Sequence, residues 1–393
     1  MKKALVHAHT AYHLTQFNMD NIRILQDLGY EVDAACSFAD SDSAIEPEEA
    51  LRRREVLEAM GVHVIETASL RKIYAIGQMR KAYKTLKNTM ERQKYDIIHT
   101  QTPIGGVICR LAAKKSRKQF GTKVIYEAHG FHFFDGAPKK NWLLYYNAEK
   151  YCSKFTDILI TINHEDYENA TRNFMAQRVE YVPGVGVNLN KFILTEEGRA
   201  EVRAEQSIES DETVLLSLGE LIPRKNHATA IKAIKKLKDE GYFDNHKIKY
   251  LIAGRGRSNA ELRALIKESG LRDEVKLLGF RTDVRDVMAA ADVYLFPSFQ
   301  EGLPVALMEA MCCNLPVVAS RIRGNVDLIE DGKGGYLFDP ESVEDVANKL
   351  KMIIENKKMW SVMGFVNRNT MTNFSTDVVE KRMKEIYQSI EVQ

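Results

Sequence analysis

The chain has 393 residues, enough for two or three domains at about 150 residues each. Hydrophobic residues make up 45% and charged residues 28%, an ordered globular composition, and 56 Lys+Arg against 54 Asp+Glu leave a formal +2, too balanced for binding nucleic acid by bulk charge. No stretch approaches the roughly 18–20 uncharged apolar residues of a membrane span, and the apolar run after Lys3 is too short for a signal peptide.

Short β-rich runs alternate with longer helical runs, the pattern of α/β domains with parallel sheets covered by helices. In the first half, strands are expected over 4–7, 31–35, 63–66, 96–99, 123–128 and 157–162, with helices over 15–28, 78–92, 106–118 and 142–152. The segment 181–188, with Pro183, Gly184 and Gly186, breaks this rhythm. It reads as the joint between domains 1–184 and 185–372; the alternative is a surface loop within one domain. Beyond it, strands are expected over 213–218, 249–253, 275–278, 292–296, 316–319 and 335–338, and helices over 227–240, 259–269, 284–290, 304–312 and 343–355. The last segment, 373–393, carries Val378, Val379, Met383, Ile386 and Ile390 at helical spacing, suited to a helix packing back on the first domain. Five cysteines, Cys36, Cys109, Cys152, Cys312 and Cys313, include no Cys-x-x-Cys pair, which argues against a zinc ribbon or disulfide framework and for a reducing, cytoplasmic compartment. The expected architecture is two doubly wound Rossmann-like domains facing a cleft.

Ligands of such domains bind beyond the carboxyl ends of the strands. His7, His9 and Thr10 follow the first strand, His99 ends the fourth and His129 follows the fifth. They line a polar cleft or are satisfied structural histidines; the nicotinamide Gly-x-Gly-x-x-Gly fingerprint is missing. Gly105, in Thr102-Pro103-Ile104-Gly105-Gly106, puts a small residue before a helix.

The second half says more. The run Gly219-Glu220-Leu221-Ile222-Pro223-Arg224-Lys225-Asn226 leaves a strand for a helix, with Asn226 as the expected N-cap. Arg224 and Lys225 at that entrance form a diphosphate seat or a solvated turn. In Glu301-Gly302-Leu303-Pro304, Pro304 is pre-set for a first helical turn, which would aim the amides of Gly302 and Leu303 into the cleft. Glu301 and Glu309 could each take one hydroxyl-rich part of a ligand, a hexose and a ribose; otherwise Glu309 caps backbone inside an apolar helix.

With Glu301 and Glu309 around Gly302-Leu303-Pro304, and the 219–225 segment as a phosphate motif, the chain resembles the retaining glycosyltransferases of family 4, which have the GT-B fold. Asp96-Ile97-Ile98-His99, Thr102-Pro103-Ile104-Gly105-Gly106 and Ala128-His129-Gly130-Phe131-His132-Phe133 resemble the bacterial capsule and exopolysaccharide branch. The resemblance implies that Lys225 holds a donor diphosphate, that Glu301 binds the transferred sugar and Glu309 the ribose, and that Gly302 and Leu303 present amides. It makes His129 the active-site histidine and puts Gly219, Gly254, Phe280 and Arg281 near the nucleotide. His9, Thr10, His99, Gly105 and His132 become acceptor-side candidates. The family's arginine after the glycine is Glu220 here; Arg224 is expected to supply the missing charge.

The resemblance further implies a retaining, metal-independent transfer with no cofactor, from a nucleotide-diphosphate sugar, with UDP favoured over GDP, to a lipid-linked oligosaccharide. The only Asp-x-Asp, Asp40-Ser41-Asp42, lies far from the motifs. Residues 71–118 hold 13 Lys/Arg against Glu91 and Asp96, and Lys139-Lys140-Asn141-Trp142-Leu143-Leu144-Tyr145-Tyr146 mixes cations with aromatics. These features point to peripheral contact with an anionic membrane, at the cytoplasmic face of the plasma membrane; a solvated helix face and a core helix are the alternatives. The rival functions are a GT-B sugar-nucleotide epimerase and a non-catalytic nucleotide-sugar-binding protein.

Overall fold

The computed structural model describes residues 1–38, 47–68 and 75–391. Asp40-Ser41-Asp42, Arg71 and Lys72 lie outside the described residues. The chain divides into two compact units, Met1–Val185 with Asp377–Gln393, and Gly186–Thr376.

The first unit holds a parallel sheet of β1 (Lys2–Thr10), β2 (Tyr30–Ser37), β3 (His63–Glu66), β4 (Ile97–Gln101), β5 (Lys123–Ala128), β6 (Ile158–Thr161) and β7 (Arg178–Tyr181), in the order β3-β2-β1-β4-β5-β6-β7. The second holds β8 (Thr213–Leu218), β9 (Ile248–Ala253), β10 (Val275–Gly279), β11 (Val293–Phe296), β12 (Val317–Ser320) and β13 (Gly335–Phe338), in the order β10-β9-β8-β11-β12-β13. Both are doubly wound α/β units. Helices cover both faces of each sheet, so the central strands are buried on both sides and read as continuous apolar runs, as in Val214-Leu215-Leu216. Strand order reverses between β1 and β4 and again between β8 and β11.

Each unit has its own core. In the first, Val6, Leu14, Ile97 and Ile125 pack with Val379, Met383, Ile386 and Tyr387 of the last helix, Thr376–Glu391. That helix therefore returns to the first unit; Tyr387 is fully buried and Val378, expected on the apolar face, is exposed. Residues 373–376, expected with the helix, stay with the second unit, while Val185 stays with the first. The reason is a parallel bridge between Val187 and Ser375, in which Val187 N–H donates to Phe374 O at 2.9 Å and Thr376 N–H to Val187 O at 3.2 Å. In the second unit, Leu215, Ile234, Ile252, Leu295 and Leu350 form the core.

Three local expectations change. The helix expected over 15–28 is two, Ala11–Phe17 and Met19–Asp27, parted at Asn18, whose side-chain amide pairs reciprocally with Gln101 at 2.8 and 2.9 Å. The run 142–152 divides into a π-helical turn, Trp142–Tyr146, and the helix Asn147–Ser153. Asn226 precedes the helix His227–Asp239 but makes no side-chain cap. It is left-handed (φ 55°), and its amide instead donates to the carbonyls of Pro297 and Pro340.

Candidate active site

In the second unit, the loops leaving β8 and β11 flank the reversal of strand order and carry most of the donor-side candidates. Gly219 follows β8 with φ 148° and Gly254 follows β9 with φ 157°; a Cβ on Gly254 would stand 1.8 Å from the Gly219 carbonyl oxygen, so glycine is required there. Glu220 is exposed. The chain then tightens into a 3-10 turn, Pro223–Lys225, which swings both cations onto one carboxylate. Lys225 Nζ donates to Glu301 Oε1 at 2.8 Å, and Arg224 Nη1 lies 3.0 Å from Glu301 Oε2 while donating to Gln300 O at 2.6 Å. Burial alone would push the Glu301 carboxyl up, but Lys225 and then Arg224 outweigh it and hold the group below the usual carboxylate range. Glu301 is thus a buried anion carrying two cations. Arg323, with no motif around it in the sequence, donates Nε to the Glu301 carbonyl at 3.2 Å and braces this loop.

The loop continues as Gly302 and Leu303 before the helix Val305–Cys312. A Cβ on Gly324 would meet the Gly302 carbonyl at 2.2 Å, so the next loop packs directly beneath. The N–H groups of Gly302 and Leu303 donate no hydrogen bond among the described residues. The carboxylate of Glu309, half-buried in that apolar helix, likewise has no hydrogen-bond or ion-pair partner among the described residues. Burial pushes its carboxyl up to about 7, against a smaller opposing pull from Lys191, a cation the motifs do not include. Glu309 is not the backbone cap considered above; it is an open acceptor.

Phe280 follows β10 and is 64% exposed, with the Arg255 guanidinium 4.9 Å from its ring centre. Arg281 is committed elsewhere: its guanidinium bonds Glu205 at 2.6 and 2.9 Å and Asp283 at 2.8 Å. As it stands, Arg281 ties the helix Glu196–Glu205 to this loop with most of its N–H donors engaged.

The first unit gathers its histidines where β1, β4 and β5 end. His129 is 19% exposed; its Nε2 lies 3.2 Å from Glu127 Oε1, and its ring stands 5.3 Å from His13 and 5.5 Å from Phe17. His9 is half-buried, 5.3 Å from His13 between ring centres. The remaining acceptor-side candidates have structural commitments. Thr10 caps the helix Ala11–Phe17 by accepting from His13 N at 3.2 Å. His99 is fully buried, with Nε2 3.2 Å from Glu127 Oε2 and Nδ1 2.7 Å from Tyr387 Oη, so it lies behind the surface an acceptor could touch. Gly105 is buried against Thr102 Oγ1, 2.5 Å from where a Cβ would stand, so it serves close packing. The His132 ring lies tilted against Tyr145, 4.7 Å between ring centres. His7, fully buried, bonds Thr100 through Nδ1, and burial lowers its pKa to about 3. Glu127, Gln101, His13 and Tyr387 join this cluster without having been anticipated.

The basic stretch 71–118 is less free than its count implies. Arg110 is fully buried against Glu149 and the Tyr126 ring, Arg117 pairs with Asp157, and Lys115 with Glu91. The Trp142–Tyr146 turn divides its side chains: Tyr146 packs on Phe133 and Phe174, whereas Leu143 is 76% exposed beside exposed Leu144 and Trp142. Among the described residues no helix is long and apolar enough to cross a membrane, and no group of three or more His, Cys, Asp or Glu is arranged to hold a metal.

The chain matches two family descriptions, glycosyl transferases group 1 over residues 198–368 and glycosyl transferase 4-like over residues 2–163. It is 31% identical to the putative glycosyltransferase EpsD of Bacillus subtilis, covering 98% of this chain and 96% of that one. It is 27% identical to the Escherichia coli UDP-Gal:alpha-D-GlcNAc-diphosphoundecaprenol alpha-1,3-galactosyltransferase over 78% of this chain and 79% of that one. Among solved structures, Anabaena Alr3699/HepE in complex with UDP and glucose superposes with a TM-score of 0.77 at 19% identity, covering 99% of this chain and all of that one. Both units thus fall within one lineage of enzymes, and the chain belongs to the group 1, family 4-like glycosyltransferases of the bacterial polysaccharide branch, with the GT-B fold.

Proposed function

We propose that this glycosyltransferase moves a sugar, with retention and without a metal, from a UDP-sugar to a lipid-linked oligosaccharide in capsule or exopolysaccharide synthesis. The observation that carries this reading is the arrangement off β8 and β11: two cations held on buried Glu301, beside the unengaged amides of Gly302 and Leu303 and the open carboxyl of Glu309. Lys225, Arg224 and the two amides neutralise the donor diphosphate, the electrostatic work a divalent ion does in other transferases. Glu301, kept anionic, accepts from hydroxyls of the transferred sugar, and Glu309 from the ribose. The acceptor hydroxyl attacks the anomeric carbon on the face the diphosphate leaves. As the C–O bond breaks, the hydroxyl proton passes to the departing phosphate oxygen. His129 acts at the reacting sugar and acceptor; His129→Ala is expected to depress turnover more than donor binding.

UDP as donor carrier is supported by the name of the Escherichia coli relative, and a polyprenyl-diphosphate acceptor by that name and by the Campylobacter jejuni N,N'-diacetylbacillosaminyl-diphospho-undecaprenol alpha-1,3-N-acetylgalactosaminyltransferase, 22% identical over 98% of this chain. Exposed Trp142, Leu143 and Leu144 are the surface we assign to peripheral contact with the cytoplasmic leaflet, where such an acceptor resides. The deciding experiment offers UDP- and GDP-sugars with a short polyprenyl-diphosphate sugar and reads the product by mass spectrometry. One added hexose or N-acetylhexosamine from a UDP-sugar is expected. Conversion of the donor alone to an epimer, or binding of every donor without product, overturns the proposal.

A further inference from the structure

We infer that Tyr387, on the last helix, is a positioning residue for His129: through His99 and Glu127 it sets which nitrogen of His129 carries a proton and which way the ring faces. The inference rests on the proposed role of His129 and deepens it.

The chain of contacts is continuous and buried. Tyr387 Oη lies 2.7 Å from His99 Nδ1, His99 Nε2 lies 3.2 Å from Glu127 Oε2, and Glu127 Oε1 lies 3.2 Å from His129 Nε2. Tyr387 and His99 are fully buried, and Glu127 nearly so. Gln101 Nε2 also donates to Glu127 Oε2 at 2.8 Å, and Gln101 is itself locked by its reciprocal pairing with Asn18. Gln101 therefore holds Oε2 through a hydrogen bond, while the Nε2 atoms of His99 and His129 face the two oxygens as close charge contacts at 3.2 Å without hydrogen-bond geometry.

The direction of each proton follows from what each group can do. Buried Tyr387 stays a phenol, because burial and then the Glu127 charge push its ionisation far up. With its hydroxyl donating to His99 Nδ1, the N–H of the His99 imidazole sits on Nε2 and faces Glu127. In the other tautomer an imidazole lone pair would face a buried carboxylate, with no donor between them. Burial would raise Glu127, but His129 first and His99 after it hold it well below the usual carboxylate range, so it stays an anion. That anion keeps a proton on His129 Nε2 and leaves Nδ1 as the nitrogen a ligand can meet. The other titratable groups facing the cluster are His13, held neutral chiefly by burial, and His9 and His7 on β1. None of them contributes a second anion.

The test measures histidine titration residue by residue, by C2 hydrogen–deuterium exchange and mass spectrometry of the full chain. Glu127→Gln and Tyr387→Phe are both expected to displace the His129 exchange profile, Glu127→Gln further than Tyr387→Phe, with the His246 profile of the second unit unmoved. Tyr387→Phe is also expected to lower turnover about tenfold and shift the acid limb of its pH profile, with the donor KM within about twofold of wild type. Met383→Ala, which removes packing from the same helix and no hydrogen bond, controls for structure: it should lower the melting temperature and leave the His129 titration in place. The inference is overturned if Tyr387→Phe and Glu127→Gln leave His129 titrating as in wild type, or if Met383→Ala moves it as far as Tyr387→Phe does. Because titration needs no substrate, a shifted His129 in a chain that transfers no sugar would sink the proposed function and leave the positioning chain standing.

Discussion

Glu309 and Glu301 sit eight positions apart and are opposites in charge economy. Glu301 is compensated twice over, whereas Glu309 is half-buried, unpartnered and raised to about 7. A carboxyl raised in the fold favours the protonated state, so its penalty on stability is absent below the ordinary glutamate pKa of about 4.5, grows as pH rises, and is complete above about 7. Glu309→Gln is therefore expected to melt higher than wild type at pH 8, by about 1–2 kcal/mol, and alike at pH 4.5. If the carboxylate receives the ribose, UDP affinity in the wild type rises through pH 7, and the glutamine variant loses both that rise and about tenfold in affinity at pH 8. Calorimetric titration at the two pH values checks both. Arg224 and Lys225 share one carboxylate, yet Arg224 is 40% exposed and Lys225 13%. Lys225→Ala is expected to abolish donor binding and turnover, and Arg224→Ala to cost about ten- to a hundredfold in kcat/KM. An Arg224→Ala enzyme with unchanged kinetics would show that Glu220 needs no compensation.

At the scale of single elements, strands were legible to the residue where punctuating residues bound them. Residues 63–66, 123–128, 213–218 and 335–338 match β3, β5, β8 and β13. Elements carried by charge were not: the helix Glu196–Glu205, capped by Thr195, buries Val202 and depends on Arg199 and Arg203 reaching Asp292, 89–93 positions away. The site divides the same way. Lys225, Glu301 and Glu309 belong to local motifs and could be named, but Glu127 is one acid in a strand, given meaning by His99, His129 and a tyrosine 288 positions beyond His99. The Trp142–Tyr146 turn shows how an irregular helix settles between core and surface: a π-helical register turns Tyr146 inward and leaves Leu143 and Leu144 out. Wild-type protein is expected to cosediment with anionic vesicles at low salt, and Leu143→Asp with Leu144→Asp to reduce the bound fraction about fivefold or more. Wild-type protein that stays in the supernatant at every anionic lipid fraction would refute membrane contact there.

Across the whole molecule, two separate cores predict two separable unfolding events. Scanning calorimetry is expected to resolve two transitions, with UDP raising only that of Gly186–Thr376, by an amount that grows with nucleotide concentration. Ending the chain after Thr376 removes Val379, Met383, Ile386 and Tyr387 from the first core, so it should lower the other transition and spare the nucleotide-responsive one. A single transition that UDP shifts as a whole would contradict this division.

The bridge between Val187 and Ser375 has an evolutionary consequence. Gly186 leaves no room for a side chain against Thr376, so the strand entering the second unit and the strand leaving it run in contact. Gly186–Thr376 thus begins and ends at residues that touch each other. Recombination at those two junctions could exchange the entire cassette without severing either core. Chimeras joined there, taking Gly186–Thr376 from a relative that uses another activated sugar, should inherit the cassette's donor preference and keep the acceptor preference of the host.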